Sequence, residues 1–148
     1  MSDLRELYQE LIIDHGRHPR NFSVMQNATV SKEGFNPLCG DRLTLFLQVE
    51  NNKIVDVAFQ GSGCAISMAS ASLMTEALKN KTVDEVKKIF NLFHGMVTSD
   101  APVDAAVLGK LMVLQGVCEF PSRVKCATLA WHTMIAAVEH DDRNVSTE

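Results

Sequence analysis

The sequence predicts an α+β fold in which helices cover one face of a small antiparallel sheet. Three observations carry this. "RLTLFLQVE" alternates Leu43, Leu45, Leu47 and Val49 against Thr44 and Gln48, the two-residue period of a half-buried strand. Asn51-Asn52, a pair that tolerates left-handed φ, then turns the chain into "KIVDVAFQ", the return arm of a hairpin. After Gly61-Ser62-Gly63 the period changes, and "CAISMASASLMTEALKN" reads as a helix with small side chains.

The other elements follow in order. Leu4, Leu7, Tyr8, Leu11 and Ile12 share one face of an N-terminal helix that ends near His15-Gly16, and Pro19 makes "RHPRNF" an irregular connector. A short strand near Ala28 to Ser31 is placed beside the hairpin. Thr82 and Glu85 form a capping box for a third helix with Val83, Val86, Ile89, Phe90 and Phe93 inward. Asp100 and Pro102 open a fourth, which carries Val103, Val107, Leu111 and Leu114 and closes at Gly116. "EFPSRVK" reads as a loop, "CATLAWHTMIAAVE" as a long apolar helix, and the tail from Asp141 as polar, frayed and disordered.

At 148 residues this is one domain, residues 1–148, long enough to bury roughly 70% of its unfolded surface without disulfides or metal. Hydrophobic residues make up 46% and charged ones 22%, ordinary values for a soluble globular chain. A net charge of −4 argues against a nucleic-acid partner, and no apolar run is long enough for a membrane span. The charged, amphipathic N-terminus is unlike a secretory signal, so the reading is cytoplasmic.

In a reducing cytosol, Cys39, Cys64, Cys118 and Cys126 are either buried filler, metal ligands or chemically active thiols. No CxxC pair is present. Cys39 stands two positions before Asp41 in the turn of "NPLCGDRLTL"; the bland alternatives are a small core thiol and a turn-capping carboxylate. Cys64 and Cys126 each begin a predicted helix, and a helix N-terminus favours thiolate over thiol. Three thiolates and one carboxylate would make a tetrahedral Cys₃Asp site suited to Zn²⁺. Cys118 reads as buried filler, and Met68, Met74, Met112 and Met134 as core. His15 and His18 read as capping or surface residues and His94 as a cap, while His132 and His140 have no ligand spacing with a cysteine. Arg123 and Lys125 precede Cys126, either as part of a solvated loop or as cations beside a thiolate.

"NPLCGD", "GSGCAISMASASLM" and "FPSRVKCATLAW", with "DHGRHPRNF" ahead of them, resemble the NifU-N-terminal, or IscU-like, family of iron–sulfur cluster assembly proteins. The resemblance runs from about Leu4 to Val138. The long interval from Cys64 to Cys126, and Lys125 where IscU-type scaffolds carry histidine, resemble the SufU branch. The resemblance implies a three-stranded antiparallel sheet packed by helices. It implies one site formed by Cys39, Asp41, Cys64 and Cys126, holding Zn²⁺, with Arg123 and Lys125 in support. It further implies that Cys39 accepts sulfur from a SufS-type cysteine desulfurase, one metal ligand leaving as it does so, and that the sulfur passes to a Suf scaffold. The alternative, from another functional class, is a scaffold that builds and transfers a 2Fe–2S cluster, since thiolates serve iron and zinc alike. A purely structural zinc site is the blandest reading, in a chain that needs no metal to fold.

Overall fold

The computed structural model describes residues 2–99, 102–139 and 145–146. Asp100, His140, most of the tail from Asp141 and the side chains of Leu4 and Leu7 lie outside the described residues. The chain runs α1 (Ser2–Arg17), β1 (Val30–Asn36), β2 (Asp41–Glu50), β3 (Lys53–Ser62), α2 (Ala65–Leu78), β4 (Lys81–Thr82), α3 (Val83–Thr98) and α4 (Ala105–Leu108). A 3₁₀ segment (Gly109–Glu119), α5 (Pro121–Val138) and β5 (Val145–Ser146) complete it.

The predicted α+β class holds, and so does the antiparallel trio β1, β2 and β3. The sheet is wider than three strands because two-residue strands extend both edges, in the order β4-β3-β2-β1-β5, with β5 parallel to β1. Asn51 and Asn52 both adopt positive φ, the conformation the hairpin turn demands. β1 extends well beyond Ser31, and its lack of an apolar alternation has a packing cause. A Cβ on Gly34 would lie 2.1 Å from the Thr133 hydroxyl, so α5 rests directly on the strand backbone there.

Strand alternation puts Asp41, Leu43, Leu45 and Leu47 on one buried face of β2. Across from them α5 packs Trp131 on Phe93 of α3, with ring centroids 4.4 Å apart. The small residues of α2 admit its neighbours closely: the Ser70 hydroxyl donates to the Ala127 carbonyl of α5 and accepts from the Trp131 indole N–H. The capping box of Thr82 and Glu85 forms with both of its hydrogen bonds.

Five local expectations change. The fourth helix is broken, because Gly109 takes a φ of +52° and the α-helical turn after Asp104 gives way to 3₁₀ turns. Leu111 and Leu114 are buried even so. "EFPSRVK" is not a loop: α5 starts at Pro121, whose fixed φ suits the first helical position. Cys126 therefore lies in the second helical turn, not at the helix start. His15 is buried rather than capping, with Nδ1 2.7 Å from the Ser72 hydroxyl, and His94 sits within α3, stacked on Phe90. Among the described residues no helix is long and apolar enough to cross a membrane.

Candidate metal centre

The β1–β2 turn brings Asn36 and Asp41 face to face as paired residues at the turn end of the two strands. Gly40, at φ +72°, closes the turn with its N–H on the Asn36 carbonyl. Cys39 is therefore carried on an exposed bend, beside the exposed Leu38. Asp41, two residues on, is fully buried. Its Oδ1 accepts the Cys64 backbone N–H at 2.9 Å, and its Oδ2 accepts from Asn36 Nδ2 at 3.1 Å. Gly63 makes room for this carboxylate, since a Cβ there would lie 2.5 Å from Asp41 Oδ1.

Cys64 is the N-cap of α2, its thiol accepting from the Ser67 N–H at 3.4 Å in the role a serine hydroxyl usually fills. Cys126 comes down from α5 onto the same spot, its Sγ 3.3 Å from Cys39 Sγ and 3.6 Å from Asn36 Nδ2. One ligand atom each from Cys39, Asp41 and Cys126 lies within 4.8 Å of the others. Cys64 is not in that trio, though its N–H holds Asp41 and its thiol acts on Cys126.

For Cys126 the electrostatics differ from the expectation of a helix N-terminus favouring thiolate. The Cys126 thiol is pushed well up, first by burial, then by hydrogen bonding with Cys39, Asp41 and Cys64. The exposed Arg123 guanidinium is held more firmly protonated, first by its hydrogen bond to Cys126, then by the charges of Cys64, Cys126 and Cys39. Arg123 is thus a cation beside the thiols. Lys125, half-buried two residues on, accepts from the Thr128 hydroxyl through its carbonyl. Cys118 is half-buried rather than core: it lines a cavity of about 630 Å³ shared with Tyr8, Ile12, Ile66, Val117 and Arg123.

The donor set fits a divalent soft-to-borderline cation. Two converging thiols and a carboxylate are the ligand types of tetrahedral zinc sites, and such an ion would neutralise charges that repel one another when deprotonated. Tetrahedral thiolates at about 2.3 Å from zinc stand about 3.8 Å apart, so the Cys39 and Cys126 sulfurs need to part only slightly. Sequence reasoning missed two residues here, Asn36 and Gly63. The signal for Asn36 was available: the hairpin register pairs it with Asp41. Gly63 had none, because its requirement is the position of a side chain from another strand.

Residues 7–139 match the family model described as the NifU-like N terminal domain. The chain is 38% identical over 141 residues to the zinc-dependent sulfurtransferase SufU of Bacillus subtilis (strain 168), covering 95% of each. It is 35% identical over 139 residues to the iron–sulfur cluster assembly scaffold protein IscU of Streptococcus pyogenes serotype M1, covering 94% of this chain and 87% of that one. A crystal structure of the SUF-system protein FiSufU from Fervidobacterium islandicum AW-1 superposes with a TM-score of 0.84 at 36% identity, over 90% of this chain and 98% of that one. The N-terminal NifU-like protein of Brucella abortus superposes with a TM-score of 0.83 at 17% identity, over 93% and 98%, which speaks for the fold alone.

Proposed function

The chain belongs to the NifU-like N-terminal domain family, and from that premise we infer that it is a sulfur acceptor in iron–sulfur cluster assembly, acting with a cysteine desulfurase of the SufS type. The observation that carries this reading is the asymmetry of two neighbouring thiols. Cys39 is exposed on a bend, whereas Cys126, 3.3 Å away, is buried. A partner's persulfide can reach only the first directly. Similarity to a relative named zinc-dependent, together with the donor set, supports Zn²⁺ as the resident ion, held by Cys39, Asp41, Cys126 and, after a rotation of its thiol off the α2 cap, Cys64. Such an ion keeps its thiol ligands deprotonated near neutral pH.

The chemistry asked of the protein is a thiol–persulfide exchange. The Cys39 thiolate attacks the outer sulfur of a persulfide on the desulfurase cysteine. A sulfur–sulfur bond forms at Cys39 as the donor bond breaks, and the donor cysteine leaves as thiolate. No net oxidation occurs. The transferred sulfur then passes to a Suf scaffold. Arg123 supports this step as a fixed cation beside the exchanging sulfurs, and Lys125 lies close by in the same helix, beside Cys126 in sequence.

The test is persulfide transfer from a purified SufS-type desulfurase, read by mass spectrometry after alkylation. Cys39→Ser should abolish the added sulfur and Cys118→Ser should leave it. Retention of the label in Cys39→Ser protein would remove Cys39 from the role. The similarity to IscU scaffolds keeps one other reading in play, a 2Fe–2S scaffold on the same ligands. Metal and acid-labile sulfide content separate the two: about one zinc per chain and no sulfide for the acceptor, iron with equal sulfide and visible absorbance for the scaffold.

A further inference from the structure

Asn36 closes β1 and pairs with Asp41 across the turn, and it is completely buried. Its Nδ2 is committed twice, at 3.1 Å from Asp41 Oδ2 and 3.6 Å from Cys126 Sγ. Its Oδ1 is buried without a hydrogen-bond partner among the described residues. A buried amide oxygen in that condition is destabilising, and an apolar side chain of similar shape would avoid the loss. The amide is therefore explained by what its nitrogen does, not by the space it fills.

The Asp41 carboxylate is held at both oxygens by donors from separate segments, Asn36 on one side and the Cys64 N–H on the other. Each oxygen that accepts one hydrogen bond keeps a further lone pair for a cation. The same Asn36 nitrogen faces the buried Cys126 sulfur, so one side chain sets the spacing between carboxylate and thiol.

We propose that Asn36 is a positioning residue that locks the Asp41 carboxylate in its ligand orientation against Cys126, so that the site is arranged before any metal enters. This deepens the reading of Asp41 and Cys126 as ligands and rests on it. Asn36 itself is not a ligand. Its action runs through Asp41.

The experiment uses Asn36→Leu, similar in shape but without a donor, with Asn36→Ala as the second variant where leucine disturbs folding. The first readout is amide hydrogen exchange in the metal-free protein. Loss of the lock should speed exchange at the Cys64 N–H by about tenfold while the Leu45 N–H in the sheet stays unchanged. The second readout is zinc affinity by chelator competition, expected to fall about 10- to 100-fold, as for other lost partners of metal ligands. In an Asp41→Ala background the same substitution should change neither readout. Unchanged Cys64 exchange, or an equal effect with and without Asp41, overturns the proposal. If the unsubstituted protein holds no zinc, the ligand reading falls, while Cys64 exchange still decides whether Asn36 locks Asp41.

Discussion

Cys39 and Cys126 stand 3.3 Å apart, sulfur to sulfur, although 87 positions separate them in the chain. Cys39 is exposed and Cys126 is buried. The pair is therefore the most sensitive reporter of whether the centre is filled.

A disulfide bond is about 2.05 Å long, so a small approach of the two sulfurs would close it. Metal-free protein treated with diamide, which takes up two electrons and two protons, is expected to lose two hydrogens and link Cys39 to Cys126. Zinc-saturated protein should resist. Peptide mapping checks the result, and a bridge from Cys39 to Cys118 would contradict the geometry.

Gly63→Ala should cost both stability and metal. The new methyl would meet Asp41 Oδ1 at 2.5 Å, and the carboxylate would have to move. Zinc affinity is expected to drop about 10- to 100-fold, with about 1–3 kcal/mol lost in urea unfolding. Unaltered zinc retention would show that the Asp41 orientation is not needed.

Trp131→Phe keeps a ring near Phe93 but removes the indole N–H that Ser70 accepts at 3.1 Å. The loss of that buried hydrogen bond should destabilise the protein by about 1–3 kcal/mol, read from the urea midpoint. The persulfide-transfer assay should be unaffected at temperatures where the variant is folded.

Stability should also fall with acid through His15. His15 Nδ1 lies 2.7 Å from the Ser72 hydroxyl, which also accepts the Arg20 N–H at 2.8 Å; when the ring is neutral at Nδ1 the hydroxyl can donate to it. Burial lowers the His15 pKa, the Arg20 charge adds to this, and Glu76 opposes it. The unfolded chain takes up its proton near pH 6.5, the folded chain only at lower pH. The contribution is therefore present above about pH 6.5 and is lost as pH falls toward the folded-state value. His132 moves in the same direction, through burial first and then His94. Urea midpoints across this range should show a flatter pH profile for His15→Gln. An identical profile would assign the acid sensitivity elsewhere.

What the sequence made legible is what depends on local period and turn chemistry. Leu43, Leu45 and Leu47 declared β2, Asn51-Asn52 the hairpin, and Thr82 with Glu85 the start of α3. Helix termini were less visible where a single residue decides them. Gly109 breaks a pattern whose apolar spacing runs on unchanged, and Pro121 starts a helix where proline beside a polar run reads as a loop. Within the site, Cys39, Asp41 and Cys126 could be nominated because their residue types carry chemistry. Asn36 and Gly63 act only through contacts made in three dimensions, and asparagine or glycine near a turn has an ordinary backbone explanation. His15 shows the same limit, since its burial depends on Ser72 of another helix.

On the ligand set proposed above, the placement of Asp41 in the buried row of β2 would link metal capture to strand alignment. A slip of one residue in the β1–β2 pairing would turn Leu43, Leu45 and Leu47 outward, and Asp41 with them, away from Cys126. A misaligned sheet would thus have no ligand set to offer, whatever its secondary-structure content. On that ligand set, competence to bind metal would serve as a proofreading signal for the fold: a chain that held the ion would already have paired its strands correctly.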